Sequence, residues 1–380
     1  MNFTRNGGLA RLDCWSASQV RHSSPSGRTI RGPAPEEIRA RTGSQATIMR
    51  KAYLELPAGS LASAGTVMLD WNISARIANI HRRQLAFNSL NLDAAEMERL
   101  RGLVNDIPPG ADILSAFGAA EPETRRVRTV SDVNRYNQRT DIASVYLSRA
   151  PDYLLHLLDG GESSGLVIES EPDGTPFMAE ALRSWFMVSY AVLLKAVAID
   201  RKKLFSRVER IDEFRFWLEH ELGVSASREA WIGFLLLAGT GEHPGRARRL
   251  LKTDKSGDPR DYAWGATWDL MYTRIPSLLA QPLFHGPWKL PIVFVTDDSG
   301  LVDALVSTNT VVTVENAHGV NVSGDSVDMN ALHEDVWPVV RSHIARQREH
   351  VMLRSRGMTT QVLRRATYLA RKLEGEIGGS

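Results

Sequence analysis

The chain has 380 residues, enough for two domains of ordinary size or one domain with a large insertion; 43% hydrophobic and 24% charged residues exclude a disordered or fibrous protein. Its formal net charge of +2 hides eight Arg against three acids in residues 1–50, which leaves the rest at −3 and excludes a strongly basic body that grips long nucleic acid through many phosphates. The single cysteine, Cys14, excludes an intrachain disulfide framework and any Cys-based zinc or iron–sulfur site, and suits a reducing, cytoplasmic setting.

Residues 1–48 are rich in Ser, Gly, Pro and Arg without sustained apolar periodicity, and cannot bury enough surface to offset the entropy of ordering. They read as a disordered leader, with two alternatives: a transit peptide, from the Arg- and Ser-rich, acid-poor character, or an over-extended start, with Met49 or a neighbour as the true beginning. The apolar run Thr66-Val-Met-Leu-Asp70, preceded by Gly65 and followed by Trp71-Asn72, suits a buried strand ending in a polar turn. Residues 92–104 repeat apolar positions at helical spacing and stop at Asn105 and the Pro108-Pro109-Gly110 breaker. Ala111–Ala116 is a second short strand, running into Phe117–Glu121.

From about 125 to 260 the pattern is dominantly helical, over Ile142–Leu158, Phe177–Ile199, Ile211–Leu222 and Ser227–Leu237, and reads as a helical insertion interrupting a domain that spans 49–380. Within it, Trp185–Ile199 is the most apolar stretch; at about 15 residues, broken by Lys195, it is too short to span a membrane, so no membrane partner is expected. Leu290–Thr296 is apolar throughout, as at the centre of a parallel sheet, and Val311–Glu315 makes a fourth strand. A long helix over 330–373, with a break at Gly357, ends the chain. Strands separated by helices point to an α/β sandwich with a mainly parallel sheet.

Three motif matches carry little. Gly161-Glu-Ser-Ser-Gly165 fits a hydrolase nucleophile elbow, but Ser163 follows a helix end and precedes a strand-like segment, the reverse of what an elbow needs. Gly239-Thr-Gly-Glu-His-Pro-Gly245 has neither a preceding strand nor a Lys-Ser/Thr pair, and reads as a flexible loop. His243, His285 and His318 stand alone in loops.

What remains is a set of carboxylates at strand ends. Asp70 follows the first strand, Glu121 the second and Asp297-Asp298 the third, so a parallel sheet brings them to its carboxyl edge, where open α/β sheets bind ligands. Asp269, in Ala266-Thr-Trp-Asp-Leu-Met271, lies on a helix that leads into the third strand. Converging acids repel one another unless divalent cations neutralise them, and oxygen-only ligation selects Mg²⁺ or Mn²⁺. Each acid also has a plain structural reading: Asp70 as a turn or cap, Asp269 as a solvent-facing helix residue, and Glu121 as a first-turn acid before Pro122.

Val67-Met-Leu-Asp70-Trp-Asn72 resembles the opening of PIN-domain nucleases, and Val293-Phe-Val-Thr296-Asp-Asp298-Ser-Gly-Leu301 resembles their closing motif, with Asp298 as the matching acid and Asp297 in the variable place. Trp268-Asp269-Leu270 matches the third acid, and Glu121 the second; Glu180 in Phe177–Leu182 is the alternative second acid. The likeness covers roughly 63–122 and 262–316. It implies a three-layer PIN-like sandwich and a metal-dependent endonuclease, more specifically an endoribonuclease, that hydrolyses phosphodiester bonds. Asp70, Glu121, Asp269 and Asp298 would hold Mg²⁺ or Mn²⁺, with Asn72, Thr296 and Asp297 in support by hydrogen bonding. Single-stranded RNA is the implied partner and DNA the alternative; the family also suggests a toxin or phage-defence effector, with a homo-oligomer or an inhibitory partner left open. The runs Arg125–Arg128, Arg201–Lys203 and Arg246–Arg249 are then candidate phosphate contacts, and Trp264 and Trp268 candidate stacking platforms, beside their readings as solvated faces and core. Two other classes compete: a catalytically silent binding or scaffold protein on the same fold, and a metal-dependent phosphatase, whose Asp-x-Asp nucleophile motif is replaced here by Asp70-Trp-Asn72.

Overall fold

Four consecutive residues can be buried on both faces only inside a sheet that is covered on both sides, and that is how the first strand, Thr66 followed by three apolar residues, is used. The structure, a computed structural model, describes residues 61–85, 93–115, 130–161, 166–168, 180–202, 206–224, 227–274, 289–298, 300–301, 308–315, 321–353 and 360–378. The leader expected at 1–48 lies outside the described residues, as do Glu121, Ser163, His285, His318 and Gly357.

Strand β1 (Thr66–Leu69) is central and pairs in parallel with β2 (Asp112–Ser115) on one side and β3 (Ile292–Val295) on the other, in the order β2-β1-β3. Leu69 stands opposite both Ser115 and Val295, so the three strands end level. Between them run α1 (Trp71–Leu85), α2 (Ala94–Asp106), α3 (Val130–Ser148), α4 (Pro151–Leu158), α5 (Glu180–Lys202), α6 (Arg207–Phe216), α7 (Ser227–Ala238), α8 (His243–Leu251) and α9 (Pro259–Tyr272). After β3 come β4 (Thr308–Glu315), β5 (Asn321–Val327), α10 (Trp337–Leu353) and α11 (Thr360–Gly378). The described chain is mainly helical around this small parallel sheet, an α/β arrangement, and none of its helices is long and apolar enough to cross a membrane.

Strand alternation divides the core in two. Val67, Leu69, Val293 and Val295 join Ile73 and Ile77 of α1, Leu100 and Leu103 of α2, and Ile142, Tyr146 and Leu154 of α3 and α4. Met68 and Phe294 face the other way, into a larger cluster built on α5, α7, α9 and α11. The helices of the 125–260 stretch therefore distribute over both clusters, α3 and α4 in the first and α5 to α8 in the second. Helix α5 is apolar all round and buried continuously from Phe186 to Ile199 apart from half-buried Met187, as a helix enclosed by others must be. Its one charge in that stretch, Lys195, reaches Glu213 of α6 at 2.6 Å.

Four elements differ from the sequence reading. The chain turns directly from Asp70 into α1, because the Asp70 carbonyl already accepts the Ser74 N–H. The fourth strand does not extend the parallel sheet; β4 pairs antiparallel with β5, a short return that a parallel crossover of a dozen or more residues could not make. The final helix begins only at Trp337, after 3-10 turns at 329–331 and 334–336, and the expected break at Gly357 falls in the interval between α10 and α11. Gly239–Gly245 is also not simply a loop, since α8 begins at His243.

Two predictions follow from packing. A Cβ on Gly65, at the entry to β1, would lie 2.7 Å from the backbone of Lys289 and Leu290, which cannot swing aside. Gly65→Ala should therefore cost about 1–3 kcal/mol in a denaturant titration. The second concerns His343 of α10, buried and 3.1 Å from Glu219. Burial pulls its pKa below the usual histidine value, with Arg215 and Arg346 adding to the effect and Glu219 opposing it. The unfolded chain then binds the proton more readily, so stability present above about pH 6.5 is lost as pH falls through that value toward the lowered folded pKa. Thermal melts between pH 8 and 5 should show that decline, and His343→Gln should flatten it.

Candidate functional site

Asp70 is the first residue past β1 and the last before α1, a junction that buries its side chain to 1% exposure. Its backbone N–H donates to the Val295 carbonyl at 2.8 Å, which carries the β1–β3 ladder one residue past the strand end. Its side-chain Oδ2 accepts a hydrogen bond from the Thr296 hydroxyl at 2.6 Å, and Thr296 is itself fully buried. That hydroxyl also accepts the Asp298 N–H at 3.0 Å. One threonine oxygen thus fixes the carboxylate that ends β1 against the turn that follows β3, and places Asp70 and Asp298 on the same edge of the sheet. The positive end of α1 sits under Asp70, a second favourable term for an anion there.

The two acids after Thr296 part to opposite sides. Asp297 turns to the α1–α2 side, where its Oδ2 pairs with the Arg76 guanidinium; Arg76 also reaches Glu96 at 3.4 Å. Asp298 turns toward α8. Its Oδ1 accepts the Leu301 N–H at 3.0 Å, and a Cβ on the intervening Gly300 would meet both Asp298 Oδ1 at 3.1 Å and the backbone N of Leu250 at 3.3 Å. The loop carrying Asp298 therefore lies against the last turn of the basic helix α8. Asp298 remains half-buried, between its capping role and the edge it shares with Asp70.

Asp269 is 9% exposed, which removes its reading as a solvent-facing residue. It lies one turn before Tyr272, whose ring contacts Phe294 of β3 at 6.3 Å between centroids, so α9 covers the Met68–Phe294 face of the sheet. Trp264 and Trp268 pack on Phe186 at 4.5 and 4.6 Å, which assigns both to the core. Asn72 is exposed in the first turn of α1. Glu180 opens α5, and Glu121 lies outside the described residues. Of the basic runs, 125–128 is outside as well; Lys202 pairs with Glu213 at 3.5 Å, Arg246 with Glu242 at 2.9 Å and Arg248 with Asp200 at 3.8 Å.

Two residues of this edge went unnoticed in the sequence. Arg76 clamps Asp297, and the half-exposed Trp71, next to Asp70, carries Arg139 over its ring at 5.0 Å. Trp71 stands inside the quoted opening motif and could have been marked from there; Arg76 has no local signal, because its partner is more than 200 positions away.

Carboxylates and a hydroxyl form a hard-oxygen donor set, the kind that suits Mg²⁺ or Mn²⁺ rather than a softer metal. Among the described residues, no group of three His, Cys, Asp or Glu is drawn together closely enough to hold a metal ion. Asp70 and Asp298 are the pair that Thr296 links. Compared with protein-family models, curated proteins and solved structures, the chain matches none.

The Thr296 hydroxyl should be worth more than an ordinary surface hydrogen bond, since its loss leaves a buried carboxylate short of a donor. Thr296→Val is expected to destabilise the protein by about 1–3 kcal/mol, and Thr296→Ser to recover most of that, by chemical denaturation.

Proposed function

We propose that the chain is a metal-dependent nuclease with a PIN-like, three-layer fold, cleaving phosphodiester bonds of single-stranded nucleic acid, RNA in preference to DNA. The observation that carries the reading is the single-oxygen link between Asp70 and Asp298: the acid after β1 and the acid after β3 share one buried threonine hydroxyl at the carboxyl edge of a parallel sheet. Apolar clusters on both faces of that sheet support the three-layer arrangement. Asp70 and Asp298, with Glu121 as the third acid, would hold the cation, and the oxygen-only donor set fits Mg²⁺ or Mn²⁺; Asp269 forms no three-acid group with the first two. When bound, such a cation supplies a water of lowered pKa and a counter-charge for the departing oxygen. The chain's own contribution is orientation: Thr296 holds the Asp70 carboxylate, Arg76 draws Asp297 away from the edge, and Asp298 is left facing α8.

A binding or scaffold protein is the second reading, favoured by Asp298 acting as a cap to Leu301 and by the absence of a three-ligand group among the described residues. One set of measurements separates the two. On the nuclease reading, Asp70→Asn and Asp298→Asn each reduce cleavage of single-stranded RNA in Mn²⁺ by at least about a hundredfold, of the size seen for single catalytic groups. Asp297→Asn keeps measurable activity and loses stability instead, because it leaves Arg76 without that partner. Millimolar Mn²⁺ added to the chelator-stripped protein raises the melting temperature, by linkage worth about 2.7 kcal/mol at a hundredfold excess over Kd, and Asp70→Asn diminishes the rise. A melting temperature indifferent to Mn²⁺, together with intact RNA and DNA, would sink the nuclease and leave the scaffold.

A further inference from the structure

Helix α11 is amphipathic in an unusual way. One face, Ala366, Leu369, Ala370, Leu373 and Ile377, is buried in the larger apolar cluster that contains α5. The opposite face presents Arg364, Arg365, Arg371 and Lys372, all exposed, around Tyr368, which is 67% exposed. These positions stand at i−4, i−3, i+3 and i+4 from the tyrosine, so all four cations lie on its own stripe of the helix. Between residues 360 and 373 there is no acid, within a body whose charge beyond residue 50 sums to −3.

The pairing of these cations differs from that of several other arginines. Arg207, Arg215, Arg246, Arg260 and Arg274 each meet a carboxylate. Among the described residues no carboxylate pairs with Arg364, Arg371 or Lys372, while Arg365 donates to the His220 carbonyl at 2.7 Å and so keeps its charge unneutralised. A large aromatic ring left in water between two pairs of unneutralised cations, about 10 Å apart along the helix axis, matches a chain of alternating phosphates and flat bases.

We propose that this face of α11 is a docking surface for single-stranded nucleic acid, with Tyr368 stacking on a base and Arg364, Arg365, Arg371 and Lys372 meeting the flanking phosphates. The inference deepens the nuclease reading by naming where the strand is held away from the acidic edge, and rests on that reading for its biological sense. An anionic membrane is the other surface that four cations would attract, but a membrane-bound helix must insert its apolar face, and the apolar face of α11 is already buried against the protein. Helix α11 also touches the helix that carries Asp269: the Arg260 guanidinium, in the first turn of α9, donates to the Glu374 carbonyl at 3.5 Å.

The test is fluorescence anisotropy of labelled single-stranded RNA and DNA oligonucleotides on the full chain, with chelator present so that nothing is cut. Tyr368→Ala should weaken binding about 5- to 150-fold with an unchanged salt slope, and Tyr368→Trp should restore it. Replacing Arg364, Arg371 and Lys372 together by Gln should lower the slope of log K against log salt by about 2, at roughly 0.7 per phosphate contact on a single strand. Binding through the stripe to either oligonucleotide supports the proposal, and the RNA-to-DNA affinity ratio reports whether the 2′-hydroxyl is read. Oligonucleotide binding that survives both sets of substitutions overturns it. So does Tyr368-dependent binding to phosphatidylserine vesicles without oligonucleotide binding. Stripe-dependent binding by a chain that cuts nothing would remove the nuclease reading and leave the docking surface; cutting that ignores the stripe would do the reverse.

Discussion

A carboxylate withdrawn almost wholly from water is the constraint on which the rest of this structure is arranged. Asp70 can be buried at the end of the central strand only if the chain supplies compensation, and the Thr296 hydroxyl does so across the β1–β3 pair. The requirement fixes register. A slip of one residue would point Thr296 to the other face of the sheet and leave Asp70 facing a valine. Because the same oxygen receives the Asp298 N–H, the path of the chain after β3 is set by the hydrogen bond that satisfies the buried acid. The order of the sheet and the composition of its acidic edge are therefore one fact.

Asp269 is positioned by a different kind of force. Helix α9 is held at its end, where Arg274 pairs at 2.5 Å with Glu229 of α7, a residue fully buried and also bonded to Ser189 of α5 at 2.6 Å. Burial alone would raise the pKa of Glu229, but the Arg274 charge holds it below the usual carboxylate value, so the pair stays ionised inside the core. Aromatic packing does the rest, with Trp268 on Phe186 and Tyr272 on Phe294. A buried ion pair of this sort contributes little net stability, because desolvation consumes the Coulombic gain. Its effect is orientation: it fixes where the helix bearing Asp269 ends relative to α5 and α7.

The parts of this arrangement that sequence could disclose are those with local signals. β1 and β3 were legible because strands buried on both faces are apolar at every position, and Asp70 and Asp298 because they follow those runs at once. The apolar period also disclosed α5, α6 and α7; α1 carries the same signal in Ile73, Ile77 and Ile80, and the direct passage from Asp70 was missed because the polar Asp70-Trp71-Asn72 reads as a turn. β5, Asn-Val-Ser-Gly-Asp-Ser-Val, has no apolar run and carries its identity only in the partner strand. Asp297 stood in the variable place of the closing motif, but the group that draws it aside, Arg76, is visible only in three dimensions. Trp264 and Trp268 show the converse failure: an aromatic beside an acid looks the same in sequence whether it stacks on a base or on Phe186.

The electrostatics of the two surfaces fit one partner better than either does alone. An edge of carboxylates repels an anionic strand, and a body charge of −3 gives no general attraction to offset that. At physiological ionic strength, however, charges separated by more than about 8 Å scarcely feel one another across water, so net charge is a poor guide to where a polyanion can rest. Four cations within three turns of α11, with Glu374 and Glu376 only at its C-terminal end, form a local field that the distant acidic edge does not cancel. A strand held there by stacking and phosphate contact would need neutralisation only over the last few ångströms at the acidic edge, where a divalent ion acts at close range. On the proposed reading a basic helix and an acidic edge in one weakly charged protein cease to contradict each other: one would hold the polymer, the other would meet a single linkage.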